Sequence, residues 1–257
     1  MPRLRIAALS DIHGNSRALE AVLDDIRRRG VDRIVNCGDS LYGPLDPSGT
    51  AARLRDSPIL SIRGNEDRIL LKSQIHAKSN PTLDFTRGAL DAEDRRWLRS
   101  LKPTMTLGDD IFVCHGTLDS DELYLFERVS QYGIQLRTEQ VLLNHIKILR
   151  QRLILCGHSH VFRHAVLADG TQIVNAGSVG LPAFRDDWPF PHAMESGSPQ
   201  ARYVLIEGGD GRYDVKPVVV DYDWEWAAAT AETRGRPDWA SWLRTGRITG
   251  TNGSDTP

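Results

Sequence analysis

Five short polar motifs interrupt this chain, and each falls where a run of β-forming apolar residues stops. Asp11-Ile12-His13-Gly14-Asn15 comes first, then Gly38-Asp39, Gly64-Asn65-Glu66-Asp67, Cys114-His115-Gly116 and Gly157-His158-Ser159-His160. Leu4 to Leu9, Asp32 to Asn36, Ile59 to Arg63 and Arg152 to Cys156 read as strands that end just before a motif. Ala18 to Arg29 reads as a helix, with Leu19, Val22, Leu23 and Ile26 on one stripe and Gly30 as its stop. This is the βαβ rhythm of a sheet with helices on its face. In such a sheet, residues just past the carboxyl ends of the strands converge on one edge, so short loops can bring distant side chains together.

The rest of the chain is less uniform. Asn80 to Lys102 reads as helical, carrying Trp97, Leu98 and Leu101, and Met105 to Cys114 as a hairpin turning at Gly108-Asp109-Asp110. Asp121 to Arg150 is expected to be helical. Beyond it, Val161 to Ala168, Thr171 to Asn175, Arg202 to Glu207 and Tyr213 to Asp221 are strand-like and separated by Gly-rich turns, which predicts a mostly antiparallel second half. Ala183 to Gln200, rich in Pro, Gly and Ser, is expected to be a long loop. One domain over residues 1–249 and a polar tail over 250–257 account for the whole sequence.

Composition narrows the function classes. A chain of 257 residues with 40% hydrophobic and 26% charged residues is ordinary for a globular protein. A formal net charge of −2 gives no bulk reason to bind nucleic acid or membrane, so any affinity for phosphate must be local. No apolar stretch is long enough for a signal segment or a membrane span, which makes the cytoplasm the expected location. Cys37, Cys114 and Cys156 form no C-x-x-C pair and read as small buried hydrophobes beneath the motifs rather than a disulfide framework.

The motifs contain Asp11, His13, Asp39, Asn65, His115, His158 and His160, which are oxygen and nitrogen donors of the kind that hold paired divalent transition metals. Asp11 and His13, two residues apart on an extended segment, can face one ion, and His158 and His160 repeat that spacing. Asp39 follows a glycine that lets the backbone turn sharply, leaving its carboxylate free to bridge. The mixed set favours Mn, Fe, Co, Ni or Zn over a closed structural zinc site. Two such ions less two carboxylate charges leave about two positive charges, enough to neutralise a bridging hydroxide and a phosphodiester.

In this order, D-x-H, G-D, G-N-x-D, H-G and G-H-x-H resemble the calcineurin-like metallophosphoesterase superfamily. The stretch Asn175-Ala176-Gly177-Ser178-Val179-Gly180-Leu181-Pro182 looks like the loop that follows in its smaller bacterial and archaeal phosphodiesterase branch. The resemblance implies a four-layer αββα sandwich of two mixed sheets flanked by helices. It implies one ion on Asp11, His13 and His160, another on Asn65, His115 and His158, and Asp39 bridging. It also implies in-line attack of a metal-bridging hydroxide on a phosphate ester, with Asp39, Asn65 and His115 in catalytic roles. Most of the superfamily carries His after Gly-Asn, where this chain has Glu66. A carboxylate there is a poor proton donor unless burial raises its pKa, and it repels phosphate, so good leaving groups are expected to be preferred.

Other residues have plainer alternatives. Asn15 can orient substrate or cap the following helix. Arg63, Arg185 and Arg202 can form a phosphate fork or ordinary surface ion pairs. His145 reads as structural, His76 and His192 as loop residues for which contact with substrate is the lesser alternative, and Trp224, Trp226, Trp239 and Trp242 as helix packing. The expected function is a phosphodiesterase acting on small or nucleotide-like esters. The alternatives are a phosphomonoesterase or dinucleoside polyphosphate hydrolase, or a scaffold that binds a partner protein, as the retromer subunit of this superfamily does. Homo-oligomers are compatible with all three.

Overall fold

The computed structural model describes residues 4–72 and 80–248; His76 and the 250–257 tail lie outside them. In chain order the elements are β1 (Leu4–Leu9), α1 (Ser16–Arg29), β2 (Arg33–Asn36), α2 (Pro47–Arg55), β3 (Leu60–Ser61), α3 (Asn65–Leu71), α4 (Pro81–Ala89) and α5 (Ala92–Ser100). There follow β4 (Met105–Leu107), β5 (Ile111–Val113), β6 (Glu127–Ser130), β7 (Gly133–Leu136), α6 (Glu139–Ile146), β8 (Leu153–Cys156), β9 (Arg163–Val166) and β10 (Gln172–Asn175). The chain continues through β11 (Ala183–Asp186), β12 (His192–Glu195), β13 (Ala201–Gly209), β14 (Arg212–Val220), α7 (Trp224–Thr233) and α8 (Pro237–Thr245).

Two five-stranded mixed sheets form the centre, ordered β14-β13-β1-β2-β3 and β4-β5-β8-β10-β9. Strand periodicity shows why they stack. Along β1, Ile6 and Ala8 face the second sheet, where they meet Val113, Leu153, Leu155 and Val174. The alternate residues Ala7 and Leu9 face a helical layer with Leu19 and Val22 of α1, Leu54 of α2 and Leu98 of α5. On the far side, Ile154, Cys156 and Ile173 pack against Leu142 and Ile146 of α6. The result is the four-layer αββα sandwich, with both sheets buried on two faces, which is why their central strands are almost wholly apolar.

Strand direction is what positions the site. In the first sheet β1, β2 and β3 are parallel, and in the second β5, β8 and β10 are parallel. Their carboxyl ends, each carrying a polar motif, therefore open at the same edge of the sandwich. The second half is less antiparallel than its turns suggest, because β8 and β10 run parallel, while β13 crosses back to pair antiparallel with β1, Ile6 opposite Ile206.

Three segments differ from the sequence reading. The expected Asp121–Arg150 helix is a β6–β7 hairpin followed by the short α6: Gly133, at φ 102°, reverses the chain, and the β-branched Val129 and Ile134 pair across the turn. The Asn80–Lys102 segment is two helices, because Asp91 caps a new one with bonds from the Glu93 and Asp94 amides. Ala183–Gln200 is not an irregular loop but carries the β11–β12 hairpin, registered Phe184 to Met194. The three cysteines are buried and unpaired beneath the motif edge, as expected.

Candidate active site

The five motifs meet at the common edge. Asp11, His13 and His160 place one donor atom each within 4.8 Å of one another, and so do Asp39, His115 and His158. All six are buried. Asn65 joins the second group: its amide lies 3.0 Å from His115 Nε2. The same amide end lies 3.2 Å from His158 Nδ1 and 3.2 Å from Asp39 Oδ2. With the Asp121 carbonyl, also at 3.2 Å, four lone-pair atoms converge on one amide, which can answer them by presenting its NH2 group, or join ligands by presenting its oxygen.

The backbone is bent to achieve this. Asp11, His13, Asp39, His158 and His160 all have left-handed φ, from 52° to 71°. Asp210 is the other non-glycine residue of that kind among the described residues. Asp and His tolerate this region better than most residues, but each still costs of the order of 1–3 kcal/mol. Glycines permit the close approach between loops: a Cβ on Gly64 would fall 2.2 Å from Asp39 Oδ1.

A surrounding set of hydrogen bonds aims the donors. Nδ1–H groups of His13, His115 and His160 donate to the carbonyls of Tyr42 (3.0 Å), Cys37 (2.8 Å) and Leu181 (2.6 Å), which turns each Nε2 inward. The His158 amide donates to Asp11 Oδ2 at 3.0 Å, and the Glu66 amide to Asp39 Oδ1 at 2.9 Å. Asp67 spends its carboxylate on the amides of Ser40, Leu41 and Gly64, tying the Asp39 loop to the Asn65 loop.

The electrostatics test whether cations suit this cage. Burial pushes the Asp11 carboxyl up to about 6 against the opposing charge of His115. Burial likewise disfavours the charged form of Asp39, but His115 overrides it and holds that carboxyl well below its ordinary range. Burial also opposes charge on His13 and His115, yet the neighbouring Glu66 and Asp39 carboxylates raise them to about 9 and about 10. His158 is pushed down to about 3 by burial and by His115. The cage therefore draws protons onto two imidazoles to offset its carboxylates. His13 Nε2 and His160 Nε2 stand 3.0 Å apart, a separation that one proton or cation must mediate. Divalent ions suit a donor set that demands positive charge in this way.

The centre opens into a cleft of about 300 Å³ whose walls include Tyr42, Glu66, Leu181, Phe184, Arg185, Arg236, Trp239 and Trp242. Sequence motifs gave no sign of Tyr42, Phe184 or Arg236, because tertiary packing brings them here. Trp239 and Trp242 do pack as helix residues, but Trp239 also meets the His13 ring edge-on at 5.9 Å. Tyr124 lies 4.6 Å from the His158 ring and shares a 2.8 Å hydrogen bond with His192. Arg185 lines the cleft, whereas Arg202 is occupied by carbonyls of Ser196, Ser198 and Gln200. Neither Asn15 nor Arg63 lines it. Asn15 caps α1 through the Ala18 amide and donates to Gly180 and Tyr222, leaving no free group, while Arg63 is held at its backbone by Lys102.

A two-sheet sandwich with Asp, Asn and His donors gathered where parallel strand ends of both sheets meet defines a class of candidate metal-centred proteins. Residues 4–190 match the calcineurin-like phosphoesterase superfamily domain, and the chain belongs to that superfamily of phosphoester hydrolases. It is similar to the crystal structure of a metallophosphoesterase from Sphaerobacter thermophilus, at 26% identity and a TM-score of 0.74, covering 95% of this chain and 100% of that one. A hypothetical protein from Pyrococcus horikoshii shares the fold at 20% identity and a TM-score of 0.70, covering 95% and 99%. An uncharacterized protein from Methanocaldococcus jannaschii is 27% identical over 93% of this chain and 96% of its own length. No helix among the described residues is long and apolar enough to cross a membrane.

Proposed function

We propose that this chain is a phosphodiesterase that works with two divalent transition-metal ions, manganese foremost, on small or nucleotide-like diesters. The observation that carries the reading is the gathering of seven buried or half-buried donors, five of them on left-handed backbone, at one cleft. Asp11, His13 and His160 would hold one ion, Asn65, His115 and His158 the other, with Asp39 between them. Ions bound there supply Lewis acidity, which makes water a nucleophile near neutral pH and offsets charge on phosphate oxygens. The similarity to a metallophosphoesterase at 26% identity supports metal dependence.

The protein's own part is orientation and exclusion. The carbonyls of Tyr42, Cys37 and Leu181 fix the imidazoles before substrate arrives. Phe184, Trp239 and Trp242 give an ester arm an apolar wall. Arg185, which has no ion-pair partner among the described residues, offers its guanidinium to a phosphate oxygen. Three buried free thiols suit the reducing cytoplasm.

The test is an assay of the manganese-loaded protein against aryl phosphodiesters and monoesters, with and without chelator. Diester turnover that chelator abolishes and manganese restores is expected. Turnover confined to monoesters or polyphosphates would move the protein to the monoesterase or polyphosphate hydrolase class. Silence with Mn, Fe, Co, Ni and Zn alike would leave a scaffold.

A further inference from the structure

Glu66 stands where the superfamily pattern most often places histidine, and its side chain meets a donor of the centre. Its Oε2 lies 3.1 Å from His13 Nδ1. That oxygen is itself shielded from solvent and receives no directed hydrogen bond, because the Nδ1–H points at the Tyr42 carbonyl, 3.0 Å away. A carbonyl and a carboxylate therefore flank the same ring nitrogen. The opposite nitrogen, Nε2, faces His160 and the interior of the cage.

Two neighbouring imidazoles lack this arrangement. His115 and His160 each turn Nδ1 to a backbone carbonyl, while His13 has in addition a carboxyl oxygen of Glu66 in contact. A carboxylate against the outer nitrogen of a ligating histidine fixes the proton on that side and makes the inner nitrogen a stronger donor. The Glu66 backbone contributes separately, since its amide holds Asp39 Oδ1, and that bond survives any change of side chain.

We infer that Glu66 is a positioning residue for His13: its carboxylate locks the Nδ1–H form of the ring and strengthens cation binding at the Asp11–His13–His160 half of the centre. The inference rests on the two-ion reading above, and it gives the residue in the histidine position a task in assembling the centre.

Calorimetric titration of the metal-free protein with manganese tests it, comparing the unsubstituted chain with Glu66→Ala and Glu66→Gln. One of two binding steps should weaken about 10- to 100-fold in Glu66→Ala, and the other should hold. Glu66→Gln, which keeps an acceptor but no charge, should fall between. Nitrogen chemical shifts of the His13 ring in the zinc-loaded protein should report a single Nδ1–H form that Glu66→Ala loses. A Glu66→Ala chain that keeps its far-ultraviolet dichroism and binds both ions as tightly as the unsubstituted one overturns the inference alone. Failure of the unsubstituted chain to bind any divalent ion overturns the two-ion reading with it.

Discussion

Single residues carry the tension between fold and site. Asp39 sits at φ 52° with its carboxylate buried between His115 and the Glu66 amide, which keep it charged against the pull of burial. Asn tolerates left-handed backbone nearly as well as Asp. Asp39→Asn should therefore keep the metal-free fold but, having lost the charge that faces His115, with a lowered thermal midpoint at neutral pH, while losing manganese binding in the same calorimetric titration. Glu66→His, assayed with saturating manganese, should raise turnover of esters with poor leaving groups by up to about 10²–10⁴-fold, the usual worth of a general acid, and leave aryl esters nearly unchanged. An equal response in both ester classes would remove proton donation from the account. That these seven residues would gather was legible because Asp and His beside glycine recur in one order at strand ends, a pattern that turn chemistry alone does not require. Left-handed φ at Asp11, His13, Asp39, His158 and His160 was not, because that geometry is imposed by loops from other parts of the chain.

Among elements, those whose periodicity agreed with their packing could be read in advance, and α1 is the clearest. Its apolar stripe faces the first sheet, Asn15 caps its start, and its last turn is basic. One contact on that helix could not be read. Asp25 accepts bonds from Arg29 at 2.7 Å and from Tyr203 of β13 at 2.7 Å, across 178 residues of sequence. Partial burial works against the Asp25 carboxylate, but these donors outweigh it and hold the pKa below the ordinary value. The contact thus stabilises the fold above the unfolded-state pKa of about 3.9, and is lost as pH falls through the lower folded value. Asp25→Asn should cost about 1 kcal/mol in urea denaturation at neutral pH, and should shrink that difference in strong acid. The β6–β7 hairpin is hidden behind a helical reading because Leu, Glu, Gln and Arg nearby favour helix, whereas Gly133 alone marks the reversal.

Over the whole molecule, the αββα order followed from the resemblance that the ordered motifs carry, while the walls of the cleft did not. Trp239 and Trp242 reach it on α8, beyond the 4–190 region matched by the superfamily domain, through packing against Leu181 and Ala183. Metal should also report on global stability. Manganese at a hundred times its dissociation constant should stabilise the folded chain by about 2.7 kcal/mol per independent site, read as a rise in thermal midpoint that chelator reverses. An unmoved midpoint would show that ions do not prefer the folded cage. The strand ends that meet there belong to β1, β2 and β3 of one sheet and to β5 and β8 of the other. Ions seated among them would work as a rivet through two stacked plates, so a chain starved of metal would be slacker as well as idle, its plates freer to slide where the rivet is missing.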